Sequence, residues 1–331
     1  MLPSSAIKRW DLSISYQEFS LRANRKGFIG LRVLPAIGVQ KQSAGFLVVK
    51  VESVLTPIED LRRNVDGTYK RDDFTWDQDS YNTDDHGAEE PLDDRTLAMY
   101  PEIRAEQIKS ERAINRVLQA YENEVAAAVF NTTTWTGSDL TTSVAIPWST
   151  QATAVPITNI DAACIKVKNN CGFRPNTLIV TDLGLRYLKR TSQIQDLLKY
   201  SGRDDPKNLG LMSGLAELLD LPNILIADGM KNTAGRGQSP TFTRLWDPTM
   251  AMVCHVAETQ DLEDPEPRIG NTIMWSDEVA SIPGEGDMES ALIVEEYREE
   301  KRRGGTFRAR GDYEIKILHA KAGHLLQAVT A

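Results

Sequence analysis

The chain has 331 residues, of which 41% are hydrophobic and 26% are charged, and its net charge is −9 at pH 7. This composition is typical of a globular protein and excludes a disordered or membrane protein, while the length allows two compact domains or one elaborated domain. The negative charge argues against a protein whose main task is to grip nucleic acid. No apolar run is long enough to span a bilayer and no signal-peptide core is present near Met1, so we expect a cytoplasmic protein without a membrane partner.

Residues 1–46 are predicted to form an arm that needs another surface to lie on. Short apolar groups alternate there with polar and small residues, and glycines interrupt them repeatedly. No helix or strand long enough to fold alone is evident in this stretch. Residues 1–41 contain seven basic and two acidic side chains, which gives a net charge of +5.

Residues 47–91 are predicted to form a long hairpin. A β-branched strand runs over 46–54, Asp66-Gly67 is a turn signal, and a second extended segment continues to Tyr81. A hairpin with so few apolar groups cannot be stable by itself, so we expect it to lie across a neighbouring subunit. Residues 52–94 contain fourteen acidic and four basic side chains, a net charge of −10. The basic arm and this acidic segment are either solvated surfaces or complementary surfaces that meet between copies.

A long amphipathic helix is predicted from Tyr100 to Phe130. Pro101 suits its first turn, and thirty residues at about 1.5 Å each give a rod of roughly 45 Å. One stripe of mostly apolar residues, spaced three, four or seven apart, faces the core and consists of Ile103, Gln107, Ile114, Leu118, Tyr121, Val125 and Val129. The other faces are predicted to carry charges of both signs, at Arg104, Glu106, Lys109, Glu111, Arg112, Arg116, Glu122 and Glu124.

Residues 131–156 are predicted to be a loop or irregular extended region, and alternating helices and apolar strands over 158–257 then indicate an α/β unit. Its strands are predicted at 177–181 and 223–228. Its helices are predicted at 158–170 with Gly172 as C-cap, at 183–190 with Asp182 as N-cap, at 192–200 and at 209–219.

The last part of the chain is predicted to be β structure. A strand covers 271–276, and a hairpin joins 291–303 to 306–319 through a two-residue Gly304-Gly305 turn. A short strand at 325–329 follows.

No constellation of catalytic, cofactor-binding or metal-ligating residues emerges. The four histidines (His86, His255, His319 and His324) show no metal-ligand spacing, and no nucleophile elbow or phosphate-binding glycine loop is present. The three cysteines form no CxxC pair, so neither a disulfide framework nor a zinc site is indicated. We therefore predict no cofactor and no enzymatic activity, although an α/β enzyme acting at the strand ends of residues 177–228 stays as an alternative.

Five segments in this order resemble one protein family. They are Glu89-Glu90-Pro91-Leu92-Asp93-Asp94-Arg95 after the hairpin, the long helix, Arg174–Val180, Leu218–Asp228 and Val294–Gly305, with Ala322-Gly323-His324-Leu325-Leu326 near the end. Together they are similar to tailed-phage major capsid proteins of the Hong Kong 97 type.

The resemblance implies an α+β, Hong Kong 97-like capsid fold. Its parts would be an N-terminal arm (1–46), an extended β-hairpin or E-loop (47–91), a peripheral domain built on the long spine helix (92–157), an α/β axial domain (158–290), and a C-terminal hairpin and strand returning to the core (291–331). Since only about 45 residues precede the hairpin, we expect a separate scaffolding protein or an already mature chain. Lys70 is the only lysine near the hairpin tip and no Asn and Glu partners are identifiable, so we expect no Lys–Asn isopeptide cross-link between neighbours.

The implied function is that of a major capsid protein, whose hexamers and pentamers close into an icosahedral shell around the phage genome. The expected partners are further copies of the chain, a scaffolding protein, a portal and a decoration protein, with double-stranded DNA contacted only non-specifically. The expected location is the virion capsid, assembled in the host cytoplasm. An encapsulin-like shell of a cellular compartment is the alternative with the same fold.

Charged residues of the arm, the hairpin and the C-terminal hairpin are the candidates for contacts between subunits. They are Arg22, Arg25, Lys26, Arg62, Arg63, Lys70, Arg71, Asp72, Asp73, Glu89, Glu90, Arg302 and Arg303.

Overall fold

A computed structural model describes residues 7–8, 27–50, 55–57, 61–63, 65, 67–71, 75–99, 105–200, 214–235, 237–257, 266–275 and 293–330. Within these ranges the chain forms a six-stranded sheet, a five-stranded sheet, two two-stranded ribbons and several helices. The strands are β1 (Ile7–Lys8), β2 (Ala36–Val39), β3 (Ser43–Val49), β4 (Trp76–Asn82), β5 (Asp84–Asp93), β6 (Thr141–Ser143), β7 (Thr177–Thr181), β8 (Asn223–Ala227), β9 (Met230–Asn232), β10 (Phe242–Arg244), β11 (Ala251–Cys254), β12 (Gly270–Trp275), β13 (Ile293–Glu299), β14 (Gly304–Ile317) and β15 (Gly323–Gln327). The helices are α1 (Gly30–Val33), α2 (Asp94–Met99), α3 (Ala105–Val129), α4 (Pro156–Cys171), α5 (Asp182–Arg190) and α6 (Ser192–Tyr200), with one more helical stretch at 214–218.

Strand β14 is the centre of the six-stranded sheet. Its residues 304–310 pair with β13 and its residues 304–313 pair with β5, so these two strands lie on opposite edges of β14. Strand β12 pairs with residues 312–317 of β14, β2 joins β12 in parallel, and β1 joins β13. Helix α3 packs on this sheet and buries its apolar stripe against it.

The arm prediction is wrong for residues 29–39, which belong to the body of the chain. Ile29, Val33 and Leu34 are at most 4% exposed, and β2 pairs with β12. The sequence pattern hid this because the segment is too short to fold alone and instead completes a sheet whose other strands are distant in sequence. At the start of the chain, β1 pairs with β13; residues 1–6 and 9–26 lie outside the described residues.

The predicted pairing of two hairpin strands is confirmed for β3 and β4, but the hairpin ends before residue 91. Strands β3 and β4 pair in antiparallel register from Ser43–Asn82 to Val49–Trp76. The chain then leaves the hairpin at Thr83, which is fully buried and whose N–H donates to the Gln42 carbonyl. Strand β5 therefore belongs to the six-stranded sheet, because its ten backbone positions pair with β14. The predicted turn at Asp66-Gly67 lies partly outside the described residues.

The long helix is confirmed over Ala105–Val129, while residues 100–104 lie outside the described ranges. Five members of the predicted stripe, Ile114, Leu118, Tyr121, Val125 and Val129, are buried. Two predictions fail on this helix. Gln107 is exposed, and Glu122, placed on a charged outer face by the sequence pattern, is 1% exposed.

The α/β unit is built on the five-stranded sheet β6-β15-β11-β7-β8. The predicted strands β7 and β8 are present and pair in parallel, and Gly172 ends α4 with φ of 79°, a conformation that glycine adopts readily. Thr181, rather than Asp182, is the N-cap of α5, because its hydroxyl accepts the N–H of Gly184. The short strand β6 was not predicted; it lies between Trp135 and Trp148, which are both fully buried.

The turn of the C-terminal hairpin lies at residues 300–303, so the predicted Gly304-Gly305 turn is wrong. Glu299 pairs with Gly304, and Arg303 adopts the left-handed conformation with φ of 47°. Gly304 is required for another reason, since a Cβ atom there would overlap the carbonyl oxygen of Leu92 on β5. Close approach of two strands, and not a turn, explains this glycine.

Candidate assembly surface

The described residues contain no arrangement typical of an active site. No group of three His, Cys, Asp or Glu side chains among them is placed to hold a metal ion. His255 contacts Glu266 at 2.7 Å and the Arg174 carbonyl at 2.9 Å. Burial raises the pKa of the Cys164 thiol to about 11, which makes its reactive thiolate form scarce at neutral pH. None of the helices in these ranges has both the length and the apolar character of a membrane span.

The hairpin carries an unusual concentration of exposed apolar side chains between residues 47 and 76. Thirteen large hydrophobic side chains of the described residues are exposed, and six of them lie between residues 47 and 76. These six are Leu47, Leu55, Leu61, Val65, Tyr69 and Trp76, with exposed fractions from 53% to 91%. Leu55 approaches Gly172 at the end of α4 yet keeps 54% of its surface exposed. Isolated exposed apolar groups are common on any protein, so it is the concentration of six in one segment that makes the hairpin a candidate interaction surface.

The two faces of the β3–β4 ribbon differ. Leu47 pairs with Gln78 and Val49 pairs with Trp76, and side chains alternate between the two faces along each strand. Leu47 and Trp76 therefore lie on the same face, and both side chains are more than half exposed. The other face carries Phe46 and Tyr81, whose ring centroids are 6.2 Å apart, and Tyr81 is buried. The chain's own body therefore covers one face and leaves the other open.

Polar contacts join the ribbon to β14. Lys316 contacts Asp79 at 2.8 Å and donates to the Ser80 carbonyl at 2.9 Å, and the Asn82 N–H donates to Glu314 at 2.6 Å. These contacts lie toward the end of the ribbon that joins β5. Farther along the ribbon, Lys50 and Asp77 line a pocket with Asn170 and Cys171 of α4, so the body also lies beside the part of the ribbon that carries Leu47 and Trp76.

The candidate contact residues fall into three groups. Arg62, Arg63, Lys70 and Arg71 are exposed around the hairpin, and Arg302 and Arg303 are exposed in the C-terminal turn. Arg63 lies over the ring of Tyr69, 5.3 Å from its centroid. The remaining arm and tip candidates, Arg22, Arg25, Lys26, Asp72 and Asp73, lie outside the described residues.

Glu90 is not on the surface, although the sequence suggested a contact with another subunit. Its side chain is 5% exposed and contacts Lys109 at 3.2 Å, Arg112 at 3.1 Å and Arg116 at 2.7 Å, all on helix α3. The carboxylate thus joins β5 to the long helix within one chain. The helical spacing of the three cations was visible in the sequence, but their common partner nineteen residues upstream of Lys109 was not.

Glu89, on the opposite face of β5, takes part in a row of alternating charge across the six-stranded sheet. Arg308 lies between Glu89, at 2.7 Å, and Glu295, at 3.6 Å. The next register position beyond Glu295 is Lys8 on β1. The contact between the basic arm and the acidic segment 52–94 of a neighbouring copy stays a prediction.

Comparisons with known proteins agree on the fold. No protein-family model matches the chain. The major capsid protein of Pseudomonas phage JBD67 is 26% identical over 265 residues, which cover 78% of this chain and 81% of that protein. A phage-related protein from Bordetella bronchiseptica RB50 superposes with a TM-score of 0.69 at 17% identity, covering 98% of this chain and 99% of the other. A chain of the capsid of Myoviridae phage XM1 gives a TM-score of 0.53 at 7% identity, covering 91% and 92%.

This chain has the fold of a tailed-phage major capsid protein. The α+β class predicted from the sequence is confirmed at this level. The boundaries of arm, E-loop, peripheral and axial domains stay predictions.

Proposed function

We propose that this chain is the major capsid protein of a tailed phage and assembles with copies of itself into a closed shell. One observation carries the proposal beyond the fold: the β3–β4 ribbon leaves Leu47 and Trp76 more than half exposed on the face turned away from its own body. Burying such groups stabilises an interface by about 25 cal/mol per Å² of apolar surface. A neighbouring copy is the partner that a shell supplies at every position.

In the Hong Kong 97-like arrangement that we infer, the ribbon acts as an E-loop that lies on the adjacent subunit. The exposed cations Arg62, Arg63, Lys70 and Arg71 flank it and are the candidates for polar contacts at the rim of that interface. Each contact is small, but a subunit makes several at once and the shell repeats them many times. Multivalent engagement then gives a stable shell without any single tight interface.

The remaining partners follow from the same proposal. Hexamers and pentamers enclose double-stranded DNA without sequence-specific contacts, which agrees with the net charge of −9. A separate scaffolding protein, a portal and a decoration protein complete the virion capsid, which assembles in the host cytoplasm. The functional role is structural, so no substrate or cofactor is required.

The test compares two variants of the purified protein by sedimentation velocity and electron microscopy. We expect the wild type to give closed shells, and Leu47→Asp/Trp76→Asp to remain as folded small species, because a charge on this face cannot be buried against a neighbour. Phe242→Asp is the matched control, since Phe242 is 66% exposed on the separate β9–β10 ribbon. Normal shells from the double variant contradict the proposed interface.

The content of the shells separates the phage capsid from an encapsulin-like compartment. Shells isolated from infected or induced cells are expected to contain double-stranded DNA. A protein cargo in place of DNA would favour the cellular compartment, and a monomer with a small-molecule pocket would favour an α/β enzyme.

A further inference from the structure

A buried carboxylate lies near the C-terminal end of the long helix. Glu122 is 1% exposed, and its two oxygens accept three hydrogen bonds. The backbone N–H of Ile29 donates at 2.9 Å, the backbone N–H of Gly30 at 2.7 Å, and the indole N–H of Trp246 at 2.6 Å. No cation forms an ion pair with Glu122 among the residues that the structure describes.

The three donors come from two different parts of the fold. Ile29 and Gly30 begin the segment that continues through α1 into β2, a strand of the six-stranded sheet. Trp246 precedes β11, the central strand of the five-stranded sheet. The two segments lie 92 to 124 residues from Glu122 in sequence. One side chain thus connects the helix to a strand-bearing segment of each sheet.

The surroundings leave this carboxylate little freedom. A Cβ atom at position 30 would lie 2.7 Å from Glu122 Oε2 and 3.0 Å from the Tyr121 ring, so glycine is the residue that allows the contact. Trp246 is 1% exposed and meets Phe130 edge to face with ring centroids 4.9 Å apart. The indole is therefore fixed by packing as well as by its hydrogen bond.

The chemistry favours a carboxylate over any neutral side chain. Three N–H donors converge on two oxygens, and hydrogen bonds to a charged acceptor are stronger than neutral ones. A glutamine would present an NH₂ group to one set of donors and would leave at least one buried N–H without an acceptor. A neutral side chain at this buried position therefore leaves the three donors incompletely satisfied.

We propose that Glu122 is a positioning residue that fixes the orientation of the six-stranded sheet relative to the five-stranded sheet, and that the curvature of the assembled shell depends on it. The inference rests on the proposed shell function, because curvature has meaning only for an assembly. A change in the angle between the two sheets within each subunit is repeated in every copy, so a small local change alters the diameter of the shell or prevents its closure.

The first test is Glu122→Gln, with Glu124→Gln as matched control. Both changes remove one negative charge from the same helix, but the Glu124 side chain is 44% exposed. The indole N–H resonance of Trp246, assigned with Trp246→Phe, is expected to shift in Glu122→Gln and to stay in place in Glu124→Gln. Electron microscopy is expected to show shells of altered or mixed diameter, or open sheets, for Glu122→Gln only.

Trp246→Phe provides a second variant if Glu122→Gln fails to fold, because it removes one donor and keeps an aromatic ring. It is expected to broaden the distribution of shell diameters as well. Shells of wild-type diameter from both folded variants would overturn the inference. If the wild type forms no shells while the Trp246 resonance still responds to Glu122→Gln, the proposed function fails and the contact itself stands.

Discussion

The carboxylate of Glu90 lies 2.7 Å from the guanidinium of Arg116, and this contact ties strand β5 to the long helix. Glu90 lies at the centre of three cations, with Lys109 and Arg112 completing the group. Arg112 and Arg116 are about half exposed, whereas the Glu90 side chain is 5% exposed. If these contacts are lost, the Glu90 carboxylate is therefore left shielded from water, whereas the cations remain in contact with water.

Replacing Glu90 is expected to destabilise the subunit more than replacing its neighbour. Glu90→Gln removes the charge from a buried site with charge-assisted contacts, and we expect a loss of about 1.5–3 kcal/mol in the free energy of unfolding. Glu89→Gln is the control, because the exposed Glu89–Arg308 pair is expected to contribute less than about 1 kcal/mol. Urea denaturation of unassembled subunits measures both values, and equal losses would contradict the assignment.

Gly304 provides a test of strand packing. Gly304→Ala places a methyl group against the Leu92 carbonyl, a backbone atom that cannot move aside without separating β14 from β5. We expect a destabilisation of about 1–3 kcal/mol or more. At the adjacent Gly305 the nearest atom is 3.5 Å away, at the end of the flexible Glu296 side chain, so Gly305→Ala is the matched control. Similar melting temperatures for the two variants would show that the strands do not approach as described.

His324 makes stability depend on pH. Burial lowers its pKa from the ordinary value of 6.5, and the charge of Lys166 lowers it further, while its hydrogen bond to the Asp139 carbonyl opposes the change. A depressed histidine pKa means that the unfolded chain binds the proton more tightly than the folded chain. The contribution of neutral His324 is therefore complete above pH 6.5 and is lost as the pH falls from 6.5 through the folded-state value.

The dependence is checked by measuring the free energy of unfolding between pH 5 and 8. His324→Asn is expected to flatten the decline below pH 6.5. Lys166→Met is expected to make the decline smaller and to end it at a higher pH, because the folded-state pKa of His324 moves closer to its ordinary value while the unfolded-state pKa stays the same. A decline of unchanged size in His324→Asn would assign it to other groups.

Sequence periodicity identified most elements but few of their partners. Helix α3, helix α4 with its Gly172 cap, and strands β7, β8 and β12 were predictable because each is encoded by a local pattern. Gly304-Gly305 was read as a turn because two glycines suit positive φ, and nothing local reveals that β5 packs against Gly304. Such a feature depends on pairing with a strand that is distant in sequence.

At the candidate site, too, features encoded by a local pattern were predictable and features that depend on distant segments were not. The need of the hairpin for a covering surface was predictable from its composition, and its exposed Leu47 and Trp76 agree with that expectation. The burial of Glu122 and Glu90 was not predictable, because a charged residue on a helix is usually solvated and the donors that bury these two come from distant segments. The arm was misjudged at residues 29–39 because a segment too short to fold alone can still complete a sheet.

The most direct test of the central claim is a cryo-electron microscopy reconstruction of the assembled wild-type protein. We expect a closed shell in which a neighbouring copy covers the ribbon face that carries Leu47 and Trp76. A protein that stays monomeric at high concentration, or a shell in which both side chains remain open to solvent, would contradict it.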